Sequence, residues 1–229
     1  MFIEQPNTIL KKLYPSALWR MDPEDKAIYL TFDDGPIPEV TPWVLDKLDQ
    51  FEVKATFFMV GDNVRKHPDI FRMVVERGHG IGNHTMHHIK IFDRNSLRYM
   101  DDVREAERII MENMTLAPSD SRYEVFSHQS TIFNEKKLFR PPHGFMNHYQ
   151  YKKLQRAGYR IVMWDLVTRD YSYKLTPPQV LSNVLRYTRN GSIITFHDSL
   201  RSWKDGKLQY ALSHALWFFK EEGYRFKLL

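Results

Sequence analysis

Short apolar runs alternate with amphipathic stretches from one end of the chain to the other, the pattern of βα units around a parallel sheet or barrel. The runs predict strands at Ala27–Phe32, Ala55–Val60, Gly80–Ile81, Leu138–Arg140, Ile161–Trp164, Ser192–Phe196 and Tyr224–Leu228. Thr41-Pro42 and Thr176-Pro177 each read as a cap followed by proline in a first helical turn, so helices are expected to begin there. From Leu97, residues Met100, Val103, Ile110 and Met114 recur at helical spacing and predict a helix ending near Met114. Between Thr115 and Lys137 that periodicity is lost among serines and other polar residues. The segment reads as a long loop whose aromatics Tyr123, Phe126 and Phe133 pack on one another or touch a ligand.

The chemistry gathers where apolar runs end. Thr31-Phe32-Asp33-Asp34-Gly35 closes the first run with two adjacent carboxylates and a turn residue, and in parallel α/β folds that carboxyl edge is where ligands and catalytic groups collect. Alone, the run fits an Asx-type turn equally well. A second cluster, His84-Thr85-Met86-His87-His88, sets His84 and His88 four apart, on one face if the segment is helical, with Thr85 placed to hydrogen-bond locally. Two imidazoles with one of the two aspartates, and an open position for water, have the ligand set of a hydrolytic metal site. The remaining aspartate is then available as a base. Arg140-Pro141-Pro142-His143-Gly144 offers a rigid cation that would keep a neighbouring carboxylate ionised. Phe196-His197-Asp198 offers a histidine at a strand end as a general acid, and Asp170 an orienting carboxylate for it.

Composition narrows these options. The 229 residues suffice for one sizeable core, so a single domain spanning 1–229 is expected. With no cysteine, thiolate ligands, disulfides and cysteine nucleophiles are excluded. No Gly-x-Ser-x-Gly elbow or phosphate-binding glycine loop is present. Lysine and arginine number 33 against 28 acidic residues, but the basic residues form no block, so nucleic acid is not an expected partner. The first 21 residues lack the apolar core of about 7–15 residues found in a secretory signal, and no run approaches the roughly 20 residues of a membrane span. A cytoplasmic protein is the expectation.

From about Ala27 to Leu229 the motifs resemble those of the polysaccharide deacetylases of carbohydrate esterase family 4, the NodB homology domain. The resemblance implies an irregular (β/α) barrel of about seven parallel strands, with residues 1–25 as an N-terminal extension and 115–137 as an inserted loop. It implies Asp33 as general base, Asp34, His84 and His88 as ligands of one divalent metal, and His87 outside that shell. Zinc is the expected ion, with cobalt or nickel as alternatives. Arg140 would hold Asp33, the backbone N–H at His143 would help stabilise the oxyanion, and His197 backed by Asp170 would be the general acid. His143, Trp164, Tyr171 and Thr195 are expected to line the substrate groove. The implied reaction is removal of acetyl from an N-acetylated sugar or oligosaccharide. An amidohydrolase acting on a non-carbohydrate amide or imide and a non-catalytic glycan-binding protein are the alternatives. Three positions depart from the family pattern: His143 replaces a tyrosine, Val167 an aspartate, and Thr195 a leucine at the acetyl pocket, which would make that pocket more polar.

Overall fold

The structure, a computed structural model, describes residues 4–89, 96–115 and 120–229. Eight strands pair in parallel: β1 (Ala27–Asp33), β2 (Thr56–Met59), β3 (Gly80–Asn83), β4 (Leu138–Phe139), β5 (Arg160–Ile161), β6 (Leu166–Val167), β7 (Ile193–His197) and β8 (Arg225–Phe226). The order β5-β4-β3-β2-β1-β7-β6, with β8 added at the start of β1, makes an open barrel whose two outer strands do not pair. The chain at Leu18–Arg20 bridges this opening, reaching Val162 on one side and Ser192 on the other. Helices α1 (Thr8–Leu13), α2 (Thr41–Gln50), α3 (Gly61–Lys66), α4 (Pro68–Glu76), α5 (Ser96–Met114), α6 (Tyr123–Lys136), α7 (His148–Arg156), α8 (Pro177–Tyr187), α9 (Leu200–Lys204) and α10 (Lys207–Glu221), with a 3-10 turn at Pro142–Gly144, complete the described elements. Among the described residues no helix is long and apolar enough to cross a membrane.

All seven residues of β1 are buried, as a central parallel strand covered on both faces requires. Side chains alternate across a strand, so Ile28, Leu30 and Phe32 enter the core shared with α2, α4, α8 and α10, whereas Ala27 and Tyr29 fill the barrel interior with Phe58, Val162, Ile193 and Leu229. By the same alternation Thr31 and Asp33 belong to the interior. Register sets Asp33 beside His197 and Thr31 beside Thr195, and pairs Asn83 with Phe139. Residues 33–34, 84, 140 and 197 therefore all leave the sheet at one carboxyl edge.

Three expectations need correction. Most of the expected 115–137 loop is a helix: Tyr123–Lys136 is helical, with only Phe126, Gln129 and Phe133 along it buried, and residues 116–119 lie outside the described residues. A stripe this narrow, with a glutamine at its middle position, carries almost no apolar periodicity, which is why it reads as a loop. Both phenylalanines are core residues, whereas Tyr123 is exposed. The run expected to continue to Trp164 ends at Ile161, and a further two-residue strand, β6, follows it. Finally, α2 starts at Thr41 but its hydroxyl does not cap the helix; it donates to Asp198 Oδ2 at 2.6 Å and accepts the Ile37 N–H at 2.8 Å. Thr176 does act as the cap of α8, with Gln179 Oε1 accepting its N–H at 2.9 Å.

Candidate active site

The two adjacent aspartates face different partners. Asp33 Oδ1 accepts from Arg140 Nη1 at 2.6 Å, and both side chains are almost wholly buried. The guanidinium is held from every side: Nη1 also donates to Thr31 Oγ1 (2.8 Å), Nη2 to the Met163 carbonyl (2.8 Å), and Cζ lies 4.1 Å from the centre of the Phe58 ring. Burial pushes the Asp33 carboxyl up, but the charge of Arg140, aided by its hydrogen bond and by His197, carries it below the usual carboxylate range.

Asp34 turns the other way because its backbone is left-handed, with φ of 86°. Asn63 Nδ2 donates to its carbonyl (2.7 Å), and the next N–H, of Gly35, donates to Asp198 Oδ1 (3.1 Å). A Cβ at position 35 would lie 2.0 Å from Asp198 Oδ2, so only glycine fits there. So held, Asp34 Oδ1 lies 3.3 Å from His88 Nε2 and 3.8 Å from His84 Nε2. Burial raises the Asp34 carboxyl in the protein alone, and Asp33 and Asp170 reinforce this.

His84 Nδ1 meets the Arg140 carbonyl at 2.7 Å. A carbonyl can only accept, so Nδ1 carries the proton and Nε2 keeps its lone pair toward Asp34 and His88. Burial lowers this imidazole to about 3, so it is neutral, as a ligand must be. Asp34, His84 and His88 offer one ligand atom each within 4.8 Å of one another. One carboxylate oxygen and two imidazole nitrogens, one ring already locked in the ligating tautomer, fit a divalent ion of the zinc type. The 84–88 segment is not helical, however. It is an irregular turn after β3 with Thr85 and His88 left-handed (φ 66° and 51°). Nor does the Thr85 hydroxyl fix it: Oγ1 is buried with no partner among the described residues. His87 Nδ1 meets Asp102 at 2.6 Å, away from the ligand cluster.

Across from the carboxylates, His197 Nδ1 lies 2.8 Å from Asp170 Oδ1, and its backbone N–H donates to Asp170 Oδ2 at 2.9 Å. Burial alone would lower this imidazole, but the Asp170 carboxylate, with Asp34 and Asp33 beyond it, lifts it to about 9. The Tyr171 ring packs edge-on against His197 with centroids 4.7 Å apart. Thr195 Oγ1 lies 3.3 Å from Thr31 Oγ1, whose own proton goes to the Ile194 carbonyl. The Thr195 hydroxyl therefore donates inward, and the polarity expected at this pocket is spent on the Thr31–Arg140 network.

Every sequence-derived site residue except Asp170 lines one groove of about 930 Å³; Asp170 lies buried behind His197. His143, left-handed at φ 58°, stands with its ring 4.6 Å from that of His88, and Gly144 packs so closely that a Cβ would lie 2.1 Å from Trp164. Sequence reasoning missed part of the lining, to which α1 contributes Ile9, Leu10 and Leu13 and the exposed Tyr173 and Phe145 also belong. Glu4 anchors this N-terminal strap, its carbonyl accepting the Val167 N–H at 2.9 Å and its carboxylate the Arg169 Nη1 at 2.5 Å. The departure at Val167 thus lies beside the strap. The signal that reveals α1 is Asn7, whose side chain caps the helix at the Leu10 N–H, followed by apolar residues at i, i+1 and i+4.

A family model described as polysaccharide deacetylase matches residues 20–162. A peptidoglycan-N-acetylglucosamine deacetylase of Bacillus cereus is 31% identical over 220 residues, 94% of this chain and 93% of that protein. A peptidoglycan-N-acetylmuramic acid deacetylase of Bacillus subtilis is 26% identical over 226 residues, 98% of this chain and 77% of that protein. Among solved structures, a peptidoglycan N-acetylglucosamine deacetylase in complex with 4-naphthalen-1-yl-N-oxidanyl-benzamide superposes with a TM-score of 0.81 at 29% identity, covering 98% of this chain and 95% of that one.

Proposed function

This chain belongs to the polysaccharide deacetylase family, and we propose that it is a metal-dependent hydrolase that removes acetyl from N-acetylated amino sugars of a glycan. The observation that carries the reading is the division between neighbouring carboxylates: Asp33 is tied to Arg140 while Asp34 faces two imidazole nitrogens, on the floor of one groove with His197. Peptidoglycan is the proposed source of the substrate, because both named relatives act on its amino sugars.

Asp34, His84 and His88 would hold the ion, proposed as zinc, which when bound supplies Lewis acidity toward the acetyl carbonyl and the attacking water. Asp33, kept ionised by Arg140, accepts a proton from the water as its oxygen adds to the acetyl carbon. The His143 backbone N–H is proposed as a donor to the developing oxyanion. His197, protonated and oriented through Nδ1 by Asp170, delivers its Nε2 proton to the sugar nitrogen as the C–N bond breaks. Acetate and the free amine result, and the proton on Asp33 resets the pair. A binding module needs neither a base nor an acid, and both are in place here.

The test is acetate release by the zinc-loaded protein from peptidoglycan fragments, chito-oligosaccharides, acetylated xylan and small amides. Release from N-acetylated glycans is expected. Release confined to acetylated xylan or small amides, or none at all with zinc bound, would overturn the reading.

The pH profile supplies a separate check. Activity needs Asp33 ionised and His197 protonated; in the metal-free protein Arg140 holds Asp33 below the ordinary carboxylate range and Asp170 raises His197, and a bound dication lowers both, so the alkaline limb reports His197 between the pull of Asp170 and that of the ion. Removing the Asp170 charge takes away the main raising influence, so Asp170→Asn should move the alkaline limb to lower pH by about 1–3 units at equal zinc loading. An unmoved limb would show that His197 is not the acid.

A further inference from the structure

The turn that carries His84 and His88 has almost no regular structure of its own, so its backbone groups must find partners elsewhere. The His84 N–H donates to the Met59 carbonyl (2.9 Å), continuing the β2–β3 ladder, and the Thr85 N–H to Asn83 Oδ1 (2.8 Å). The next two N–H groups, of Met86 and His87, converge on a single atom, Asp102 Oδ2, at 2.8 and 3.1 Å. On the opposite side the Thr85 and Met86 carbonyls accept from the Gly61 and Asp62 N–H groups at the start of α3, each at 2.9 Å. The turn is therefore gripped between α3 and α5, and it reaches α5 through two side chains: Asp102, which holds two of its amides, and Asn83, whose Nδ2 donates to the Val103 carbonyl at 2.9 Å. Thr85 and His88, left-handed at φ 66° and 51°, bracket the two N–H groups Asp102 holds. Side chains pay a steric penalty in that region and stay there only where the surroundings impose it.

We propose that Asp102 is a positioning residue for the metal site: by fixing the Met86 and His87 amides it sets the turn that brings His88 Nε2 within 3.3 Å of Asp34. The inference rests on the metal-site reading above. His87 is an accessory here. Its Nδ1–H donates to Asp102 Oδ1 at 2.6 Å while half of its side chain is exposed, so its ring can be removed without disturbing the backbone clamp.

The test is zinc affinity, measured by competition with a chromophoric chelator on purified full-length protein, with cooperative thermal unfolding of the metal-free forms as the fold control. Asp102→Ala should weaken zinc about 10–100-fold, the usual effect of losing a partner that orients ligands. Asp102→Asn keeps an oxygen for the two amides and should recover most of that loss, and His87→Ala should bind zinc within about threefold of wild type. Should Asp102→Ala not fold, hydrogen exchange on the metal-free wild type decides: the Met86 and His87 amides should be protected, and fast exchange at both would overturn the clamp. Undiminished zinc affinity in folded Asp102→Ala, or a loss in His87→Ala equal to that in Asp102→Ala, would overturn it too. Failure of the wild type to bind zinc would instead refute the metal site itself.

Discussion

Asp33→Asn should slow acetate release by about 10²–10⁴-fold, the usual contribution of a positioned base, while leaving the ion bound. The expectation follows from where the two carboxylates lie. Asp33 is absent from the ligand cluster and spends Oδ1 on Arg140, whereas Asp34 Oδ1 is within 3.8 Å of both histidine nitrogens. The asparagine oxygen can still accept from Arg140, so the change removes the proton acceptor more than the architecture. Metal content and kcat are measured on the same preparation. A near wild-type kcat with metal retained would show that another group activates the water.

Arg140→Met should destabilise the fold by about 3–5 kcal/mol, because it leaves one member of a buried ion pair alone. The methionine fills comparable space beside Phe58, so the cost is mainly electrostatic and polar: Asp33 and the Met163 carbonyl lose their donor, and Thr31 Oγ1 loses one of its two. Burial then raises Asp33 against only the weaker pull of His197, so the variant should also lose activity at neutral pH. Urea denaturation measures the stability. The double variant Asp33→Asn/Arg140→Met should be less destabilised than the two single changes added together, since partners in one network couple. A loss under about 1 kcal/mol in Arg140→Met would mean that the pair is exposed to water in solution.

The parts legible in sequence are those where a local pattern and a global role coincide. The Ala27–Phe32 run predicts β1 because a central parallel strand is apolar on both faces, and Thr31–Gly35 stands out because carboxylates rarely close such a run without a task. The Leu97–Met114 periodicity matches α5 because that helix buries a broad stripe. The failures share a different cause, for they depend on contacts distant in sequence. Helix α6 buries too few side chains to show a period, and two-residue β6 is held by register with β7 rather than by its own pattern. Four-residue spacing suggests a helix for His84 and His88. The observed turn instead depends on amides anchored by Asp102, sixteen residues from Met86. The α1 wall of the groove is likewise assigned by Glu4 contacts with residues more than 160 positions away, and lies outside the matched 20–162 region.

The central claim is that one divalent ion at Asp34, His84 and His88 is required for deacetylation. It is tested most directly by elemental analysis paired with acetate release from an N-acetylglucosamine oligomer, on wild type and on the His84→Ala/His88→Ala double variant. Wild type should hold about one zinc per chain at this three-ligand site, lose activity on chelation and regain it as one equivalent is restored, whereas the double variant should bind no zinc and release no acetate. Full zinc occupancy in the double variant, or undiminished acetate release from metal-free wild type, would contradict the account.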